Sequence, residues 1–324
     1  MIEASDQSLI DGVLAGQRRA LAKTITLIES TRDDHQRRAG EVLRTLLPRT
    51  GRSIRVGISG VPGVGKSTFI EALGLTLIAK GHKVAVLAID PSSTVTGGSI
   101  LGDKTRMEHL TQSLDAFIRP SPSAGSLGGV AARTREAMLV CEAAGFDVII
   151  VETVGVGQSE TAVAGMTDVF VLLQLPNAGD DLQAIKKGIV ELADVVVFNK
   201  ADLDETAAER AMQQMKGALH LLRAASPDWT VPVLKVSAVK HAGLDDFWSA
   251  ILRYRDAMQA SGAWEARRSR QALDWMWALV DQGLRHRFEH HAAVRAALPD
   301  IRAAVAAGTL PASAAALRLL QAMD

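Results

Sequence analysis

From residue 52 to about residue 260 the chain alternates short, unbroken apolar runs with amphipathic stretches. The runs are Ile54 to Ile58, Val84 to Ile89, Val148 to Val151, Val169 to Leu173, Val195 to Phe198 and Val233 to Val236. Runs that lack polar alternation predict strands buried on both faces, and therefore a mainly parallel sheet wrapped by helices. In such a sheet a ligand is expected at the carboxyl ends of the strands. On either side the pattern turns helical. Leu9, Ile10, Val13 and Leu14 recur at three-to-four spacing, as do Leu21, Ile25, Leu27 and Ile28, until Pro48 and Gly51 end the pattern. Beyond Trp264 helical spacing returns, and Leu273, Met276, Trp277, Val280 and Leu284 form one stripe. That stripe, on a segment with Trp264, Trp275 and Trp277, either packs against the chain's own core or forms a dimer interface. The expected organisation is a helical extension over 1–50, an α/β domain over 51–260 and a helical arm over 261–324.

Composition narrows the class. At 324 residues, 48% hydrophobic and with a formal net charge of +0, the chain is long enough to bury a full core and has no global attraction to nucleic acid or acidic membranes. Cys141 is the single cysteine, set on an expected helix beside Val140 and Ala143, so it reads as a packing thiol rather than part of a disulfide or metal clamp. His286 and His290, four apart, read as surface residues flanked by Arg285 and Arg287. The acidic first residues and the lack of an apolar stretch of about 20 residues point to a cytoplasmic protein.

Directly after the first apolar run comes Gly60, Val61, Pro62, Gly63, Val64, Gly65, Lys66, Ser67 and then Thr68, which fits the phosphate-binding loop at every position. Its glycines let backbone N–H groups close around phosphates, the Lys66 ammonium neutralises their oxygens, and the Ser67 hydroxyl can ligate Mg²⁺. Where the run Val195 to Phe198 ends, Asn199, Lys200, Ala201 and Asp202 form the guanine-reading pattern NKxD. The Asp202 carboxylate can accept from the guanine N1–H and exocyclic amine, a pairing adenine cannot offer. Asn199 can bridge the base to the phosphate loop, and the Lys200 stem can cover the ring. Ser237, Ala238 and Val239, after the last run, stand where a backbone amide would meet the guanine oxygen.

Between these anchors lie the segments that would sense the nucleotide. Asp90, at the end of the run Val84 to Ile89, would hold Mg²⁺ through a water, or would cap a turn before Pro91. The Gly- and hydroxyl-rich stretch from Ser93 to Asp103 reads as switch I. Asp103 would approach Mg²⁺ or the attacking water, or pair with Lys104 or Arg106. Glu152 to Gln158 stands where regulatory GTPases carry DxxGQ, with Gly155 placed to offer its N–H to the γ-phosphate. Here Glu152 replaces the aspartate and Val156 the water-orienting glutamine, so unaided hydrolysis is expected to be slow. The polar segment from Pro176 to Gly188 reads as a third switch, or as a loop and helix start with an Asp cap.

The blocks GVPGVGKST, AIDPSSTVTGGSILGDKTRM, FIRPSPSAGSLGGVA, VIIVETVGVGQSE, NAGDDLQAIKKG and NKAD together resemble the MeaB/MMAA (methylmalonic aciduria type A) GTPases, also called ArgK or LAO/AO transport ATPases. The resemblance spans about Leu9 to Phe288. The cysteine metal motifs of the nickel-delivery GTPases of similar fold are missing. What the resemblance implies is a SIMIBI-type P-loop fold and a homodimeric GTPase chaperone for an adenosylcobalamin-dependent acyl-CoA mutase. Such a chaperone uses GTP, GDP and Mg²⁺ to gate cofactor loading and protect the mutase, with an adenosyltransferase as a further partner. It implies phosphate contacts from Gly60 to Thr68, Mg²⁺ and switch I roles for Asp90 and Asp103, and switch II over Glu152 to Gly157. It also implies switch III over Asp180 to Lys187, guanine contacts from Asn199, Lys200, Asp202 and Ser237 to Val239, and a dimerising C-terminal arm. Two other readings stand beside it: a transport-linked ATPase or kinase, which NKAD disfavours, and a nucleotide-gated scaffold with negligible turnover.

Overall fold

The computed structural model describes residues 3–30, 32–89, 107–120, 127–153, 159–176, 187–221 and 228–323. By its contacts the chain divides into two compact units, Met1–Arg268 and Ser269–Asp324.

Seven strands build the sheet of the first unit: β1 (Ile54–Gly60), β2 (Val84–Ile89), β3 (Ala116–Arg119), β4 (Val148–Thr153), β5 (Val169–Gln174), β6 (Val195–Phe198) and β7 (Val233–Lys235). Their order is β3-β2-β4-β1-β5-β6-β7, and every neighbouring pair is parallel. Residues of β1, β2, β4, β5 and β6 are buried throughout, as unbroken apolar runs require when both faces are covered. Edge strand β3 is the element the apolar pattern did not announce; its sequence Ala116, Phe117, Ile118 and Arg119 has only two large apolar residues before a charge ends it.

Helices cover both faces. Alternate residues Val56 and Ile58 of β1, Val169 and Val171 of β5 and Val195 and Val197 of β6 share one core with α4 (Lys66–Ala79), α5 (Glu108–Gln112) and α10 (Leu244–Ala260). Trp264 belongs to this core, 6% exposed and tilted against Tyr254, rather than to the stripe on the helical arm. On the opposite face Ile149, Val151 and Phe170 meet α1 (Ala4–Leu14), α2 (Arg18–Glu29), α3 (Asp33–Leu46), α6 (Leu127–Ala143) and α7 (Ser159–Ala164). The N-terminal helices thus share a core with the sheet. Cys141 of α6 is buried there, and burial pushes its thiol well above the ordinary range. Beside them α9 (Glu205–Leu221) covers Leu172, Val196 and Phe198, and the single-turn α8 (Lys187–Val190) precedes β6.

A repeated device pins the amino ends of the strands. Three strands begin directly after an Asp-Val pair's carboxylate, at Asp147, Asp168 and Asp194. Each carboxylate accepts a backbone N–H from a neighbouring segment: Lys83 to Asp147 (2.7 Å), Arg55 to Asp168 (2.8 Å) and Phe170 to Asp194 (2.8 Å). Since a parallel strand cannot be fixed by a hairpin, these bonds help set the register. Each acid also meets a basic side chain: His82 for Asp147, Arg268 for Asp168 and Arg267 for Asp194. Arg267 donates further to the Tyr254 hydroxyl, and Arg268 to the carbonyls of Gly51 and Ser53. Between them Arg55 lies bidentate on buried Glu142. Burial opposes ionisation of Glu142, but Arg55, Ser53 and the Gly51 amide hold it below the usual carboxylate range.

Helix α11 (Ala263–His290) starts in the first unit and continues into the second, which also contains α12 (Ala292–Ala306) and α13 (Ala312–Gln321). Its residues Leu273, Met276, Trp277, Leu279, Val280 and Leu284 are exposed. The rings of His286 and His290 stack on the same helix. No helix among the described residues is long and apolar enough to cross a membrane.

Candidate functional site

Strand β1 sits mid-sheet, and its chain leaves toward β2, whereas β5 beside it leaves toward β6 on the other side. The crevice between such diverging connections, at the strands' carboxyl ends, is where α/β sheets take ligands. There the loop 61–65 passes into α4. Gly60 lies so close to β5 that a Cβ would stand 2.5 Å from the Leu173 carbonyl oxygen, and Gly65 adopts a φ of 89° that opens the first turn of the helix. A side chain at Gly60 would displace the backbone of β5, and one at Gly65 would take a left-handed conformation and press on the Asn199 amide. The first free N–H groups of α4 therefore face the crevice, a ready anion site. Lys66, 8% exposed, folds back so that its Nζ donates to the carbonyls of Gly60 (2.8 Å) and Val61 (3.3 Å). That places an ammonium over the loop's concave side. Thr68 is exposed one turn into the helix.

Two oxygen donors converge beside it. Ser67 Oγ donates to Glu152 Oε1 at 3.3 Å, Glu152 being buried at the end of β4. A hydroxyl and a carboxylate next to a phosphate loop are the hard donors a small divalent cation takes when phosphates and water complete its shell. Among the described residues there is no cluster of three or more His, Cys, Asp or Glu able to hold a metal by protein ligands alone.

The guanine-reading residues are tied to this loop. Asn199, 1% exposed at the end of β6, donates through Nδ2 to the Val64 carbonyl (2.9 Å) and accepts through Oδ1 from the Ala238 amide (3.3 Å). Lys200, whose φ of 58° is one of two positive values among the described non-glycine residues, reaches back to the Gly63 carbonyl at 2.8 Å. The Ser237 hydroxyl, hydrogen-bonded to Asp202, holds that carboxyl below its ordinary range, with Lys240 acting in the same direction. Asp202 is thus kept ionised and acceptor-only. Ser237 also exchanges two backbone bonds with Ala242, closing a tight loop on which the Val239 side chain is 73% exposed.

The structure brings together Gly60 to Thr68, Glu152, Asn199, Lys200, Asp202 and Ser237 to Val239. Asp90, Asp103, Gly155, Val156, Gln158 and the third-switch segment from Asn177 to Lys186 lie outside the described residues. Sequence reasoning placed Thr153 only as part of switch II and did not name Ser59; their buried hydroxyls hydrogen-bond at 2.9 Å behind the loop. Their only signal was a polar residue at the end of each of two apolar runs.

A phosphate loop and a guanine-reading loop bonded to one another on the carboxyl edge of a parallel sheet define a P-loop GTPase. The sequence profile of one family, described as "Methylmalonyl Co-A mutase-associated GTPase MeaB", matches residues 21–293, and the chain belongs to that family. A Caulobacter vibrioides protein named as a GTPase is 58% identical over 323 residues, covering 99% of each chain. The mouse protein named "Methylmalonic aciduria type A homolog, mitochondrial" is 44% identical over 97% of this chain and 78% of its own. Among solved structures, one titled "Crystal structure of LAO/AO transport system kinase" superposes with a TM-score of 0.78 at 38% identity, covering 99% of this chain and 98% of the other.

Proposed function

We propose that this GTPase is a nucleotide-driven chaperone that gates adenosylcobalamin loading into a cobalamin-dependent acyl-CoA mutase, methylmalonyl-CoA mutase or a relative, and protects and reactivates it. The observation that carries the nucleotide half is the bonding of Asn199 to Val64 and Lys200 to Gly63, which couples base recognition to the phosphate loop. Support for the mutase half is the family's description and the name of the mouse relative.

In this reading the backbone N–H groups of Gly60 to Thr68, Pro62 excepted, and the Lys66 ammonium gather charge from the β- and γ-phosphates, and Asp202 with the Ser237–Val239 loop selects guanine. Ser67 and Glu152 would hold Mg²⁺, together with Asp90 and Asp103. The ion supplies charge neutralisation at the transferring phosphoryl group. As water attacks in line, Lys66 and the loop amides stabilise the oxygens of the phosphoryl group, and the Gly155 amide reports whether the γ-phosphate is present. No glutamine stands at Val156 to orient the water, so the partner completes the site.

Turnover of GTP measured alone and with each of the organism's cobalamin-dependent mutases tests this directly. Slow hydrolysis that rises about tenfold or more with one mutase is expected, a modest value on the scale of partner-activated GTPases. No response to any mutase would overturn the chaperone assignment.

We further infer that the protein works in the cytoplasm as a homodimer joined through the arm over 261–324, with an adenosyltransferase as a second partner. Support for the dimer is the exposed stripe, in which Trp277 is 60% and Leu273 58% exposed. Trp277→Asp is expected to halve the mass seen by light scattering while leaving GDP affinity within about twofold, because a buried charge at an apolar interface is strongly unfavourable. An unchanged mass would move the dimer contact elsewhere.

A further inference from the structure

The backbone ladder between β1 and β4 ends at the rung Ile58↔Glu152, so the carboxylate beside Ser67 stands on the last paired residue. Strand β1 continues past it to Gly60, paired with β5, whereas β4 has only Thr153 left. Thr153 pairs with Ile89 of β2 on its far side. Toward β1 its Oγ1 donates to Ser59 Oγ at 2.9 Å, and the two residues are 0% and 1% exposed. This side-chain bond extends the β1–β4 contact by one residue beyond their backbone ladder, while β1 is still paired with β5 and β4 with β2. Side chains alternate along a strand, so Ser59 and Thr153 lie on the face opposite Glu152 and α4.

We propose that Ser59 and Thr153 are a positioning pair that fixes the end of β4, and with it the Glu152 carboxylate, relative to Ser67; this rests on the reading of Glu152 and Ser67 as holders of Mg²⁺. Glu152 is paired with Ile58 and with Ala88, but Thr153, the rung after it, is paired on the β2 side only; a shift there by fractions of an ångström is passed to the neighbouring residue, and a metal-ligand set tolerates little of that. Buried in an apolar layer, the hydroxyl pair has no water to substitute for a lost partner, so the bond is worth more there than at a surface.

The test uses the full-length protein loaded with a fluorescent GDP analogue, with release followed as Mg²⁺ is titrated, beside thermal unfolding and GTP turnover. Thr153→Val keeps the shape and removes the hydroxyl, and Thr153→Ser keeps the hydroxyl. Thr153→Val and Ser59→Ala are each expected to raise the Mg²⁺ concentration that half-maximally slows GDP release by about tenfold, the usual scale for residues that orient metal ligands. Thr153→Ser is expected to stay within about twofold of wild type, and the double variant to be no worse than the worse single one. GDP affinity without Mg²⁺ should not change. If Thr153→Val does not fold, Ser59→Ala carries the comparison alone. Glu152→Gln separates the two ideas. A raised Mg²⁺ requirement for Glu152→Gln with a wild-type requirement for Thr153→Val and Ser59→Ala would overturn the positioning role alone. An unchanged requirement for Glu152→Gln would remove the metal reading on which it rests. Equal defects in Thr153→Val and Thr153→Ser would also overturn it, by assigning the effect to packing.

Discussion

Lys66→Ala is expected to reduce GTP turnover at least about a hundredfold and to abolish tight GTP binding, the scale seen when one preorganised charge donor is removed from a phosphoryl or acyl transfer site. The ammonium is the side-chain cation over the concave side of the loop, held by the Gly60 and Val61 carbonyls at the first position of α4. Both of these acceptors are backbone carbonyls, one at the buried end of β1 and one in the loop after it, so at these two contacts the loss of Nζ removes a hydrogen bond and not a counter-charge. The melting temperature should therefore move by no more than about 2 °C, which corresponds to roughly 1 kcal/mol or a little more in a chain of this size. Loss of binding with an intact melting curve is the expected pairing. Wild-type binding and turnover would refute the phosphate-loop assignment.

Asp202→Asn is expected to move base preference from guanine toward xanthine. In the proposed role the carboxylate would accept two hydrogen bonds, from the N1–H and exocyclic amine, and a site built to pair with donors rejects a base that presents a carbonyl there. An amide reverses one of the two positions and so matches the xanthine edge. Because the Ser237 hydroxyl already keeps Asp202 ionised, the wild-type site offers acceptors only throughout the neutral pH range. Competition between GTP and XTP for the fluorescent analogue should show a loss of GTP affinity of about a hundredfold or more, with a gain for XTP. An unchanged preference would place guanine recognition elsewhere.

Both candidate loops could be picked out in the sequence, because each depends on residue types at fixed spacing next to an apolar run. The strands were legible for a related reason: buried parallel strands such as Val195 to Phe198 have no polar interruptions. What escaped was chemistry that contradicts that pattern. Arg55 and Glu142, deep in the structure, carry the composition of surface residues, and only their mutual pairing makes their burial tolerable. Arg267 and Arg268 looked like part of an amphipathic arm, yet they reach strand-leading acids about a hundred or fewer residues earlier in the chain. The available signal was the repetition of Asp-Val at Asp147, Asp168 and Asp194, each opening an apolar run. Trp264 was grouped with the tryptophans of the arm because helical spacing continues through it; only the packing against Tyr254 separates it.

The position of the two arginines also bears on how the chain matures on the ribosome. Asp168 and Asp194 are laid down with the middle of the sheet, and their side chains are 1% and 4% exposed in the finished fold. Until Arg267 and Arg268 have emerged, those carboxylates must stay hydrated or accept a proton, since an unpaired buried charge costs several kcal/mol. Domains ordinarily close in order of synthesis. Here the nucleotide-binding sheet would remain loosely assembled until most of the polypeptide has been made, and a nascent chain stopped at residue 260 would carry both recognition loops without the means to lock the strands beneath them.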